Sequence, residues 1–217
     1  MSLSLRPIAF AALVLLTLGG CFSREGEVDF RQGGIRVARS ACPAVGVPAQ
    51  TGDITLFDPP SSRDARAIDV TAVISNLKST CDETGAEVVA NVTFDVTARR
   101  RDAAAPRQVV LPYFVTIVRG GNVVYAKRVS RVALDFAPGQ DRVTVAASGS
   151  TAIARAAATL PEDVRRQITR RRKAGDEDAA IDPLAEPGVR AAVARASFEL
   201  LIGFQLTPDQ LQYNATR

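Results

Sequence analysis

The chain has 217 residues, a formal net charge of +4 from 27 Lys and Arg against 23 Asp and Glu, and 47% hydrophobic residues. That length suits one substantial domain with an extension, and the mild charge, clustered rather than spread, does not point to nucleic acid. The sequence has three cysteines and no His, which removes Ser-His-Asp and Cys-His nucleophilic sites, His-based acid–base chemistry and the usual N/S zinc site.

The N-terminus reads as a targeting segment. Arg6 precedes an apolar run from Ile8 to Leu18, which is shorter than the roughly 20 residues a spanning helix needs and has the length of a signal-peptide core. Leu18, Gly19, Gly20 and Cys21 follow, and "LGGC" resembles a bacterial lipobox with Gly19 as a departure. Residues 1–20 are therefore expected to be a lipoprotein signal peptide. In that class the Cys21 thiol is alkylated with diacylglycerol, the chain is cut before it and the new amino group is acylated. The rival readings are a plain secretory signal with an incidental Cys, and a core helix of a cytosolic protein. Three acyl chains would hold the protein on a membrane without a spanning helix, since each buried methylene contributes about 0.8 kcal/mol and two chains already anchor stably. Phe22 stands where Asp retains enterobacterial lipoproteins in the inner membrane, so the outer membrane, periplasmic face, is expected. Cys42 and Cys81 remain as an even pair in an oxidising compartment, which argues for a disulfide over two buried thiols.

Residues 21–41 read as a lipidated Cys and polar tether, and 42–217 as the folded domain. Asp53 to Phe57 is a short strand before a turn whose Pro59 and Pro60 forbid a helix. Strands follow at Ile68 to Cys81, Asn91 to Ala98, Val109 to Val118, Val123 to Phe136 and Arg142 to Ser148. In the second of these Val92, Phe94, Val96 and Ala98 share one face, the period-two pattern of a half-buried strand. Arg119 to Asn122, "RGGN", is a hairpin turn whose glycines supply positive φ, and Pro112 marks an edge or a bulge. Strands without helices between them predict an all-β, Ig-like antiparallel β-sandwich. A helical insertion over about 158–195 is expected before the last strand. Its main helix runs from Leu160 with Pro161 at the start, Glu162 and Asp163 in the first turn, a basic last turn and Gly175 as the stop. Phe198, Leu200, Ile202, Phe204 and Leu206 share one parity and predict a final strand. Thr207, Pro208 and Gln210 predict a capping box opening a last helix.

The phrase "GFQLTPDQLQYN" (Gly203 to Asn214), with "ACP" before "ITLF" and with "LPYFVTIV", resembles a family of uncharacterised alphaproteobacterial outer-membrane lipoproteins. The resemblance implies a lipobox, a Cys-Pro after a short tether and a β-rich middle, and carries no activity.

No cofactor, metal or catalytic residue is expected. Asp82 with Glu83, and Asp176 to Asp178, are the paired carboxylates, and they read as turn and connector residues. Two basic clusters remain: Arg99 to Arg101 at a strand end, and Arg165, Arg166, Arg170, Arg171, Arg172 and Lys173 on the helix 160–173. Arg suits phosphate contacts, although the acidic connector downstream offsets the second cluster. The expected function is a non-enzymatic periplasmic binding or assembly module with an envelope protein partner. The alternative is binding of a lipid or cell-wall component through the helix 160–173.

Overall fold

The computed structural model divides into two compact units, Met1–Arg39 and Ser40–Arg217. It describes residues 28, 29, 34 and 35 of the first unit, and residues 40–170, 175–176 and 180–217 of the second. The signal segment, Cys21 and most of the tether lie outside the described residues. Within the first unit, β1 (Val28–Asp29) pairs antiparallel with β2 (Gly34–Ile35).

The second unit is a β-sandwich of two four-stranded sheets with Ig-like layering. One sheet has the order β3-β10-β7-β8 and the other β4-β5-β6-β9. The strands are β3 (Ala44–Gly46), β4 (Asp53–Phe57), β5 (Ile68–Asp82), β6 (Glu87–Arg100), β7 (Arg107–Arg119), β8 (Val123–Phe136), β9 (Arg142–Ala154) and β10 (Phe198–Phe204). Every predicted strand is present. The one from Arg142 runs to Ala154, six residues further than expected.

The core follows from alternation. On β6, Val88, Ala90, Val92, Phe94, Val96 and Ala98 are each at most 1% exposed, because β6 lies between β5 and β9 and turns one face to the opposite sheet. Phe198, Leu200, Ile202 and Phe204 of β10 do the same from the other layer, and Leu206 packs against the core beyond the strand end. β3 departs from the antiparallel expectation. It pairs parallel with β10, Leu200 opposite Val45, so the first and last strands of the sandwich are neighbours.

Pro112 does not mark an edge strand, since β7 lies between β10 and β8. Registered pairing with β10 ends at Tyr113 opposite Phe204, and beyond it Gln205 N donates to Pro112 O at 2.9 Å. The N–H and C=O of a strand residue point the same way. The donor that proline lacks is therefore missing only where the neighbouring ladder stops.

The hairpin expectation holds: Gly120 and Gly121 have φ of 63° and 79° between β7 and β8. Gly203 has a different reason. A Cβ there would lie 2.3 Å from Thr51 Oγ1 and 2.7 Å from Phe114 Cζ.

The insertion between β9 and β10 holds α1 (Arg155–Ala158), α2 (Glu162–Thr169) and α3 (Pro187–Arg195). α2 is shorter than predicted. Pro161 is its N-cap, and the chain turns extended at Arg170, with ψ of 125°. Continuing would set like charges at i,i+3 and i,i+4, such as Arg166 with Arg170, and Ile168 is the last apolar residue available to pack. Gly175, with φ of 102°, lies in a turn six residues past the helix end. After β10, α4 (Pro208–Thr216) opens with the predicted capping box between Thr207 and Gln210.

Cys42 and Cys81 form a disulfide across 39 residues of chain. Closing a loop of that size removes up to roughly 4 kcal/mol of unfolded-state freedom, often less in practice. Reduction, or the Cys42→Ser/Cys81→Ser pair, is expected to lower Tm by up to about 16 °C. Thermal unfolding with and without reductant measures this, and an unchanged Tm would show that the bond adds no stability.

Candidate functional site

Both ends of the sandwich use their charged residues structurally. Arg100, at the end of β6, is only 3% exposed. Its Nε donates to Gln140 O at 2.8 Å and its Nη1 to Ala105 O at 2.6 Å, while Nη2 reaches Ala103 O at 3.1 Å and Ala137 O at 2.9 Å. The guanidinium also stacks over Phe136, 5.0 Å from the ring centre. It thus ties the β6–β7 loop to the β8–β9 loop, and four carbonyls spread its charge without a carboxylate. Arg99 pairs with Asp141 at 3.4 Å, and the Arg101 amide donates to Asp69 O at 2.9 Å. The predicted Arg99–Arg101 cluster is therefore no common anion site, because its middle member points inward. Sequence reasoning missed this role. The signal was available: Arg100 has the same parity as Val96 and Ala98, which places it on the buried face.

At the opposite end, Asp82 and Glu83 shape the β5–β6 hairpin. Asp82 Oδ1 accepts from Thr84 N at 2.9 Å and from Thr84 Oγ1 at 2.7 Å, and these bonds hold its pKa below the ordinary carboxylate value. Glu83 Oε2 accepts from Ala41 N at 2.7 Å and Ser40 Oγ at 3.0 Å, fixing the point where the chain enters the sandwich. Arg155 Nη1 donates to Thr84 O and Gly85 O on the same hairpin, at 3.1 and 3.2 Å, so the helical insertion springs from this end too.

Of the predicted basic helix, Arg165 and Arg166 are on α2, Arg165 paired with Glu162, and Arg170 is the residue after it. Arg171, Arg172 and Lys173 lie outside the described residues, as do Glu177 and Asp178. The six do not share one helix. α2 also leans on the acidic connector, through the hydrogen bond from Gln167 to Glu186.

The two long sides of the sandwich differ. One is covered by α4: Asn214 Nδ2 donates to Gln50 O and Asp53 O at 2.8 and 2.9 Å, Tyr213 meets Phe57 edge-to-face at 5.1 Å, and Arg217 pairs with Asp53. Beside α4 is a cleft of about 390 Å³ lined by Phe57, Tyr213, Arg63, Asp209, Asp69 and Arg107 among others. Its charges are matched within it. Arg107 forks onto Asp69 at 2.8 and 2.6 Å, and Arg63 lies 3.6 Å from Asp209.

The other side carries β8 and β9. Among the described residues β8 bonds to β7 alone and β9 to β6 alone. Between them lies a cleft of about 300 Å³, lined by Arg128, Ser130, Ser148, Gly149 and Ser150 with Asn91, Val92, Thr93 and Val115. Along the first half of β8, Val123, Val124, Tyr125 and Val129 are 56%, 63%, 51% and 52% exposed. A long, unpaired, apolar edge is where strands add, and it is the strongest candidate site on the molecule. Sequence reasoning looked for such an edge at Pro112, on the neighbouring strand.

Among the described residues no group of His, Cys, Asp and Glu is placed to hold a metal. Comparison with protein-family models, with curated proteins and with solved structures returns no match to the chain.

Replacing Arg100 with Met takes a donor from four carbonyls, of which Ala103 O and Ala137 O keep the backbone N–H groups of Gly139 and Gln140, and is expected to cost about 3 kcal/mol, or roughly 6–12 °C in Tm. Arg100→Lys recovers only part of this, lacking the fork. A Tm within a degree or two of the parent in both variants would contradict the clamp.

The hydrogen bonds from Arg107 hold Asp69 below the usual carboxylate range, with burial opposing. A depressed folded pKa contributes stability above the unfolded value near 3.9, lost as pH falls through the lower folded value. Asp69→Asn is expected to cost about 1–2 kcal/mol at neutral pH, discounted for the exposure of Arg107. That difference should close as the solution is acidified below the unfolded value. Urea melts of both proteins across this range test it, and a pH-independent difference would contradict it.

Proposed function

We propose that the chain is a bacterial envelope lipoprotein of outer-membrane type, held at the periplasmic face by acyl chains on Cys21. Its β-sandwich acts as a non-enzymatic binding and assembly module for an envelope protein. The observation that carries the anchoring is the sorting of the three cysteines. Two are joined in the folded unit as Cys42–Cys81, a bond suited to an exported protein. The third stands alone in "LGGC", behind an apolar run of signal-peptide length.

The open β8 edge supports the binding role. Paired on one side only among the described residues and apolar along half its length, it exposes Val123, Val124, Tyr125 and Val129, the kind of edge that strand addition uses. The structural uses of Arg100, Asp82 and Glu83 leave those residues no free chemistry for catalysis.

Labelled palmitate is expected to enter the parent protein and not Cys21→Ala, and the parent alone should fractionate with outer membranes. Cross-linking and co-purification from envelopes should recover a stoichiometric partner with the anchored form. Palmitate-free parent protein, or a Cys21→Ala form still bound to membranes, would overturn the anchor. Recovery of no partner from either form would overturn the assembly role.

A further inference from the structure

Resting on that reading of the sandwich as a protein-binding module, we propose that the free edge of β8 takes up an extended segment of its partner in which acidic and apolar residues alternate. Among the described residues the hydrogen-bonding side of β8 away from β7 faces no strand of its own sheet, so its first half offers backbone donors and acceptors to an incoming strand. The side chains define what that strand must carry. Val132 and Leu134 point into the core, so by period two Lys127, Val129 and Arg131 share the outward face and Arg128 turns toward the cleft. Arg128 indeed lines the cleft with Ser130.

Among the described residues none of Lys127, Arg128 and Arg131 is in an ion pair. The one charge contact of Lys127 is with the Phe114 ring, 4.9 Å from its centre. The outward face of the edge thus reads cation, apolar, cation. Cross-strand pairs are the unit of sheet recognition, with opposite charges favourable and like charges directly opposite unfavourable. The matching strand carries acid, apolar, acid at alternate positions, a pattern that reads the same in either direction. A second copy of this chain is disfavoured by the same rule, since self-pairing of β8 would set this basic row against itself. Cations on an edge also serve to repel stray strands. That purpose alone does not explain exposed Val129 between them, nor exposed Val123, Val124 and Tyr125 just before them.

The test uses the full-length Cys21→Ala chain and a labelled, end-blocked peptide, Thr-Glu-Thr-Val-Thr-Glu-Thr. Its counterpart with Lys at both Glu positions serves as control. By fluorescence anisotropy the acidic peptide is expected to bind at least about ten-fold tighter than the control, less so as salt rises. Hydrogen exchange should slow within Val123–Arg131. In K127E/R131E, both exposed positions, the preference should reverse toward the Lys peptide. Failure of the acidic peptide to bind the unaltered chain, equal binding of both peptides, or protection confined to other strands would overturn the proposal. These comparisons on the unaltered chain stand even if the double variant misfolds. If anchored K127E/R131E still recovers the envelope partner at parental yield, the β8 inference falls while the binding-module reading stands.

Discussion

The sandwich depends on β10 lying inside its sheet. Sitting between β3 and β7, the last strand joins the start of the folded unit to its middle, and its Leu200, Ile202 and Phe204 are fully buried. Neither β3 nor the β7–β8 hairpin can form a complete layer until this segment arrives from the far end of the chain. Such non-local pairing is entropically late, so the sandwich closes as one cooperative unit. The phrase from Gly203 to Asn214 is the lock on this step. Gly203 lets β10 pass close to Thr51 and Phe114, Gln205 binds the Pro112 carbonyl, Thr207 caps α4, and Asn214 returns to the carbonyls of Gln50 and Asp53. Each of these residues has an architectural contact.

Once β10 is seated, the two ends need different closures. At one, loops converge on the buried Arg100 guanidinium, whose fork satisfies carbonyls from two connections at once. At the other, the disulfide and Glu83 hold the incoming chain against the β5–β6 hairpin. The helical insertion leaves from the same hairpin through Arg155. An acyl anchor at Cys21 would pull on this end, where a covalent bond and charge-assisted hydrogen bonds meet.

The asymmetry of the sides lies in what the chain sets against each. Its final residues become α4, which covers β4 and brings Tyr213, Asn214 and Arg217 onto that side. Among the described residues no further strand pairs with β8 or β9, whose edges face each other across a cleft. The free edge of β8 thus combines backbone groups, exposed apolar side chains and positive charge, the features that the proposed strand addition would use.

Local signals determined much of this protein from sequence alone. The alternation in β6 and β10 places those residues on buried faces, the glycines of "RGGN" make a turn, and Thr207 with Gln210 makes a cap. Each depends on residues within a few positions of one another. The pairing of Cys42 with Cys81 was legible for another reason, since two cysteines in an oxidising compartment have one partner each. Other features were decided by tertiary structure. Pro112 reads as an edge until β10 is seen to end beside it. The basic run from Arg165 reads as one helix until like-charge crowding and the lack of an apolar stripe past Ile168 end it at Thr169. The parity of Arg100 turns it inward, but the carbonyls that receive it come from two loops brought together only by the fold. The open edge of β8 is invisible in its own residues, because whether a strand has a neighbour is set by strand order. Strand order depends on pairings between distant segments, whereas periodicity records only which way each side chain faces.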